Sequence, residues 1–168
     1  MSAPIWVTTA KKYLGVKEVP GPYNNPTIMG FAARIGGWVK AYIKSELDAW
    51  CGAFVGAVFR ESLPSIKLPA NPLSALAWAS WGVKLAKPAL GAVLIFKRPG
   101  GGHVGFYEGE DAACFHVLGG NQGNAVSVTR IEKNRLVAGG IRWPAGQVLP
   151  TGGPVMLTAA GKPSVNEA

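Results

Sequence analysis

The sequence predicts an α+β domain in which N-terminal helices pack on a C-terminal antiparallel β-sheet of about five strands. Residues 1–90 carry apolar side chains at the spacing of helical faces, whereas residues 91–144 carry short β-branched and aromatic runs between glycine-rich turns. Helices followed by strands, rather than an alternation of the two, are typical of α+β proteins. The 48% hydrophobic content of the 168 residues favours a packed core, and this length suits one domain.

Helix signals recur along the first half of the chain. Apolar residues follow one another at intervals of three or four, Asn–Pro pairs suit helix starts, and glycines suit helix ends. Asp48 precedes one apolar run and is expected to cap the helix that holds Cys51 in its first turn. The predicted helices are 4–14, 26–35, 38–43, 49–61 and 72–81.

Strand signals begin at Gly91 and alternate with turn-forming residues. Residues 99–102 are expected to form a hairpin turn between the first two strands, and residues 108–111 the turn that follows. The predicted strands are 92–97, 103–107, 112–118, 125–130 and 139–143.

The domain boundaries follow from these elements. Residues 1–144 are expected to form a single domain, with a helical half (1–90) and a sheet half (91–144). Residues 145–168 are rich in Pro, Gly and Ala and lack periodicity, so we expect a tail that is mobile or draped over the surface.

The chain is basic, with 17 Lys and Arg against nine Asp and Glu and a formal net charge of +8. Such a charge attracts polyanions, including nucleic acid, anionic lipid and the bacterial envelope. The basic residues are scattered, and the sequence contains no nucleic-acid motif, so a specific nucleic-acid partner is disfavoured.

The N-terminus and the cysteines bear on the compartment. Residues 1–9 carry no basic cluster followed by an apolar core, and no apolar window is long enough to span a bilayer. We therefore expect synthesis in the cytoplasm without a signal of its own. Cys51 and Cys114 are the two cysteines, and both are expected to be free thiols.

Three residues form a candidate nucleophilic site. Cys51 lies at a predicted helix start, where the helix dipole and a nearby imidazolium favour the thiolate that attacks a carbonyl. His103 opens a predicted strand after three glycines and suits a general base. Asn121 lies in a glycine-flanked turn after the next strand, where its amide could orient the imidazole.

Each of these residues also has a purely structural interpretation. Cys51 suits a small buried core residue, His103 a surface histidine, and Asn121 a turn residue that tolerates a left-handed conformation. His116, on the strand after His103, is an alternative orienter, and Cys114 on the same face is interpreted as core.

Two further interpretations concern substrate and metal. Trp50 and Gln122 are the candidate substrate contacts, although Trp50 could equally anchor the helix to the core. Zinc ligation by the two cysteines and two histidines is disfavoured because their spacing matches no paired zinc motif, and no metal or cofactor is expected.

The motifs WCGAFV (50–55), GHVGF (102–106) and LGGNQ (118–122) resemble those of the NlpC/P60 and CHAP superfamily of cysteine peptidases and amidases. The similarity is greater to a phage-associated, endolysin-like branch, and it covers about residues 4–144. It implies a papain-like fold, a helix that carries the cysteine and an antiparallel sheet that carries the histidine. Cys51 matches the nucleophile, His103 the base and Asn121 the polar third member.

The resemblance also implies a function. The expected activity is hydrolysis of an amide bond in peptidoglycan stem peptides; the alternatives are an N-acetylmuramoyl-L-alanine amidase with the same residues and a noncatalytic wall-binding protein. Such an enzyme acts on periplasmic or cell-wall peptidoglycan, is held near the anionic envelope by its positive charge, and is expected to be a monomer. Gly119 and Gly120 depart from the pattern, because many CHAP members have an acidic residue just before the Asn.

Overall fold

A computed structural model describes residues 2–168 and has an α+β architecture, with helices on one face of an antiparallel sheet. The helices are α1 (Ile5–Lys11), α2 (Pro26–Ile35), α3 (Gly37–Tyr42) and α4 (Cys51–Ser62), with short 3₁₀ helices at Ala75–Ser80 and Lys133–Arg135. The strands are β1 (Val83–Lys84), β2 (Val93–Arg98), β3 (Gly101–Glu110), β4 (Cys114–Gly119), β5 (Ser127–Glu132) and β6 (Leu136–Trp143). Every helix in this range is too short or too polar to cross a lipid bilayer.

The start of α2 follows its sequence signals closely. The Asn25 side chain accepts a hydrogen bond from the Thr27 N–H, Pro26 occupies the first turn, and Gly36 ends the helix at φ +78°. The expected helix at 72–81 is instead a 3₁₀ helix over Ala75–Ser80, because the backbone between Asn71 and Ser74 closes a separate turn.

The start of α4 differs from its prediction. Asp48 does not cap this helix, because its carboxylate accepts hydrogen bonds from the N–H groups of Lys44 and Ser45 and closes the preceding turn. The helix begins at Cys51, with Trp50 in the N-cap position and no side chain bonded to the cap. The first amide that donates within α4 is that of Phe54, so the Cys51 N–H precedes the helical ladder.

The six strands are ordered β1-β6-β2-β3-β4-β5, and all neighbours are antiparallel. All five predicted strands are present, but β1 was not predicted because two residues carry no readable alternation. The predicted turn at 108–111 is wrong at its start: β3 continues to Glu110 after a register shift between Tyr107 and Gly109, and the chain turns at 111–113.

Helix α4 crosses the middle of the core. Its residues from Cys51 to Phe59 are all buried, between α1 and α2 on one side and β3 on the other. Phe54 and Phe59 both make edge contacts with Phe106 of β3, with ring centroids 6.3 and 5.6 Å apart. This packing fixes the N-terminus of α4 relative to β3.

The segment 145–168 lies against the sheet. Met156 forms a parallel bridge with Glu110, and Ser164 forms another with Ile131. The Val155 N–H donates to the Tyr107 hydroxyl (3.0 Å), which fixes the tail on the strand that carries His103.

Candidate active site

Cys51 is the first residue of α4 and is 3% exposed. Strands β3 and β4 are paired as far as Phe106 and Leu118. Val104 lies two residues earlier on β3, beyond this pairing, and its N–H hydrogen-bonds to the Cys51 thiol. The sulfur therefore lies beside the peptide unit that joins His103 to Val104. Burial raises the pKa of the Cys51 thiol, while the backbone N–H groups of Val104 and Gly52 favour the thiolate.

His103 pairs with Phe96 across β2 and β3, and the two rings stack with centroids 6.5 Å apart. Its Nε2 lies 2.9 Å from Oε1 of Gln122. Its Nδ1 is buried and has no hydrogen-bond partner among residues 2–168. An unpartnered ring nitrogen in a buried site is unusual, because buried polar atoms are nearly always hydrogen-bonded.

The Gln122 amide determines which His103 nitrogen carries the proton. Its Nε2 donates to the backbone oxygens of Val117 (3.0 Å) and Ser127 (2.7 Å), which can only accept. Oε1 must therefore face the ring, and the neutral ring donates through its Nε2–H. The Nδ1 lone pair is then free to accept a proton.

Desolvation lowers the pKa of His103 from 6.5 to about 4, although the Glu167 charge and the Gln122 hydrogen bond act in the opposite direction. At neutral pH the imidazole is uncharged. Together with the raised pKa of Cys51, this leaves both candidate groups uncharged at neutral pH. Proton transfer from sulfur to Nδ1 would create the nucleophile.

The structure corrects the expected orienter. Asn121 adopts a left-handed conformation (φ +60°) and makes no hydrogen bond to His103; the carboxamide at the ring belongs to Gln122. His116 is engaged elsewhere, since its Nε2 lies 2.7 Å from Oδ2 of Asp111, which also accepts from Arg130. The Arg130 hydrogen bonds hold the pKa of Asp111 well below its usual range.

The two predicted substrate contacts, Trp50 and Gln122, are both buried in the interior. Trp50 is 1% exposed, stacks on Phe31 and donates through Nε1 to Glu18, so it anchors the helix start rather than lining a cleft. Gln122 uses both ends of its amide internally. A Cβ at Gly120 would come within 2.7 Å of Phe54 and Trp50 atoms, so a larger residue does not fit at this position without a shift of its neighbours.

A cavity of about 330 Å³ adjoins the N-terminus of α4. The backbone at Pro72 and Leu73 touches Gly52, and Leu73 also lines this cavity. The other lining residues are Trp38, Tyr42, Ile43, Asp48, Ala49, Asn71 and Ser74. Sequence reasoning missed this cavity, because its wall combines α3 with the loops on either side of α4. A larger apolar cavity of about 640 Å³, beside Trp6 and Trp143, contains none of the candidate residues.

The residues considered for zinc do not converge. Within residues 2–168, no three His, Cys, Asp or Glu side chains are arranged to hold a metal ion. Both cysteines are buried free thiols, and Cys114 lies on β4 with Asp111 and Arg130 nearby.

The fold and the site together define an α+β protein with a buried thiol, an imidazole with a free Nδ1 and an orienting carboxamide. No family model, curated protein or solved structure matches the chain.

Proposed function

We propose that this chain is a papain-like hydrolase of the NlpC/P60 and CHAP type, which cleaves an amide bond in peptidoglycan stem peptides. The observation that carries the proposal is the free Nδ1 of His103, whose ring Gln122 orients and which lies one residue before the Val104 N–H that favours the Cys51 thiolate. A nucleophile, a base and an orienter in this order are the parts that acyl transfer through cysteine requires. The sequence motifs supply the substrate class.

The first chemical step is transfer of the Cys51 proton to Nδ1 of His103. The thiolate attacks the scissile carbonyl, and the Cys51 N–H, which lies ahead of the helical ladder, stabilises the oxyanion. His103 returns the proton to the leaving amine, which departs and leaves a thioester on Cys51. Water then attacks the thioester with His103 as general base, and the acid product leaves.

The cavity beside α4 suits one side of such a substrate. Trp38 and Tyr42 are 48% and 66% exposed and meet edge to face, with centroids 6.1 Å apart. Exposed aromatic rings beside the Asp48 carboxylate provide both apolar and polar contacts for a peptide.

The decisive experiment compares Cys51→Ala with the wild type in a zymogram and in turbidity clearing of isolated cell walls. We expect the variant to lose at least about a thousandfold in rate, because no other group replaces the nucleophile. Cys114→Ala is the matched control, since it removes the other buried thiol, and it should retain activity. Equal clearing by wild type and Cys51→Ala would remove the proposed nucleophile, and wall binding without cleavage by either would favour the noncatalytic alternative.

Mass spectrometry of the digested muropeptides identifies the bond. New termini within the stem peptide are expected, whereas a free lactyl group on muramic acid would assign the N-acetylmuramoyl-L-alanine amidase alternative instead.

A further inference from the structure

The C-terminal tail brings a buried carboxylate to the histidine end of the sheet. The Glu167 side chain is 0% exposed, and Nη1 and Nη2 of Arg135 donate to its two oxygens at 2.9 and 2.6 Å. The Ser164 hydroxyl donates to the same carboxylate at 2.7 Å. This paired geometry is the one that a guanidinium uses to recognise a carboxylate.

The position of Arg135 relative to His103 follows from the sheet register. Leu136 pairs with Phe96 across β6 and β2, and Phe96 pairs with His103 across β2 and β3. Because adjacent strands lie about 4.8 Å apart, the residue next to Arg135 is about 10 Å from His103 at the backbone. The Arg135 Nε donates to the Lys97 oxygen (3.0 Å), which holds the guanidinium on this row.

The electrostatics agree with this placement. Burial lowers the pKa of His103, and the negative charge of Glu167 opposes that shift. Burial acts to raise the pKa of Glu167, but the Arg135 and Ser164 hydrogen bonds and, after them, His103 lower it. The Arg135 side chain is only 15% exposed, so removing Glu167 would leave a largely buried cation without its anion. The site therefore requires an anion.

The last residues of the tail are held chiefly by polar contacts. Val165 is 79% exposed, and both Asn166 and Ala168 are also exposed, so little apolar surface secures Glu167. A segment anchored in this way can leave when another carboxylate competes for the same guanidinium.

Resting on the proposed function, we propose that Arg135 forms an anion subsite for a free carboxylate of the peptide substrate. Glu167 fills this subsite in the resting protein as a tethered competitor. The subsite would make the enzyme prefer stem peptides with a free carboxylate near the scissile amide over their amidated counterparts, and the tail would raise the apparent KM.

The test measures binding in a Cys51→Ala background by calorimetry, so that it does not depend on cleavage. Adding Glu167→Gln, which keeps the shape of the side chain, should increase the affinity for a free-carboxylate stem peptide about tenfold. The affinity for the amidated counterpart should not change. With Arg135→Gln in place of Glu167→Gln, the affinity for the free-carboxylate peptide should be about tenfold lower than that of the Glu167→Gln protein. Glu61→Gln, which breaks an ion pair with Arg34 on the helical side, is the matched control and should change neither affinity.

A second probe tests the subsite without peptidoglycan. A synthetic copy of residues 162–168, added to the Glu167→Gln protein, should bind about tenfold more tightly than the same peptide with Gln in place of its Glu. Equal affinities of the two synthetic peptides would overturn the inference. So would an equal increase in affinity for free and amidated stem peptides on Glu167→Gln. Carboxylate-selective binding by a wild type that cleaves no wall would instead count against the proposed function alone.

Discussion

At the residue scale, the Gln122 amide determines the tautomer of the His103 ring. Two backbone carbonyls fix its nitrogen end, so its oxygen receives the His103 Nε2–H and the Nδ1 lone pair stays free. Gln122 is thus a positioning residue that acts through His103.

We predict that Gln122→Ala lowers kcat by roughly 10- to 100-fold with little change in KM, because the ring loses its preferred tautomer and orientation. Nitrogen NMR of labelled histidine should show the Nε2–H tautomer at His103 in the wild type and a mixture in the variant. Asn121→Gly, which suits the left-handed backbone at this position, is the control and should keep both activity and tautomer. If the two variants lost activity equally, Asn121 would return as a candidate orienter.

The burial of His103 also predicts a pH-dependent stability. Its pKa falls from 6.5 in the unfolded chain to about 4 in the folded protein, so the unfolded state binds more protons between these values. The free energy of unfolding should therefore decrease as pH falls from about 6.5 to about 4, by up to about 3 kcal/mol.

Denaturant unfolding at pH 7 and pH 4.5 measures this effect. His103→Gln has no titrating ring and should show a flatter dependence over the same range. The lowered pKa values of Asp111 and Glu167 affect stability only at lower pH, because both groups stay ionised above their ordinary values. Parallel pH dependences of wild type and variant would contradict a buried neutral His103.

What the sequence could predict at this scale depended on local signals. Cys51 and His103 each follow from a motif and from an element boundary that a single segment encodes. The choice between Asn121 and Gln122 could not be made, because it depends on the left-handed turn at Asn121 and on carbonyls of β4 and the segment before β5. The pairing of His116 with Asp111, which engages the His116 ring elsewhere, has no signal in the sequence.

The approach of α4 to its neighbours determines the site at the element scale. A Cβ at Gly52 would lie 2.2 Å from the Pro72 backbone oxygen, so the residue after Cys51 must be glycine for this packing. Pro72 belongs to the loop that precedes the 3₁₀ helix at Ala75–Ser80.

We predict that Gly52→Ala destabilises the protein by about 2 kcal/mol or more, because backbone rather than a flexible side chain must move. Gly30→Ala is the matched control: it lies within α2, nothing lies within 4 Å of its added Cβ, and helix propensity should give it about 0.5–1 kcal/mol of stabilisation. Urea unfolding of both variants checks the pair, and a destabilisation of similar size in both would refute the close contact at Gly52.

Elements were predictable where one segment carried its own boundary signals. The Asn25–Pro26 start and the Gly36 end fixed α2, and the β-branched runs gave five strands. The Asp48 cap failed because its carboxylate is used by the turn before the helix, a competition that the sequence does not reveal. The length of β3 was missed because a bulge carries the strand through its Glu108–Glu110 end.

The net charge of +8 acts at the scale of the whole molecule. We propose that it concentrates the protein at the anionic envelope, an attraction that salt screens over about 10 Å at 0.1 M.

Raising the ionic strength from about 0.02 to 0.3 M should therefore lower the rate of wall clearing several-fold. Hydrolysis of a small uncharged peptide amide by the same preparation should change little, because Cys51 and His103 are each buried away from the screening ions. A clearing rate that did not respond to salt would remove the electrostatic contribution.

The arrangement of the whole chain was only partly predictable. The α+β class followed from the order of helical and strand patterns, whereas the strand order β1-β6-β2-β3-β4-β5 depends on long-range pairing. The path of the tail was unpredictable because residues 145–168 lack periodicity and are held by hydrogen bonds and an ion pair to strands distant in sequence, including the pair of Glu167 with Arg135.

The most direct test of the central claim is to trap the covalent intermediate. Wall fragments are mixed with the protein, quenched in acid within milliseconds to seconds, and the protein is digested and analysed by mass spectrometry. We predict a stem-peptide thioester on the peptide that contains Cys51 and none on the peptide that contains Cys114. Accumulation of cleaved fragments without any adduct on Cys51, and with undiminished rate in Cys51→Ala, would contradict the account.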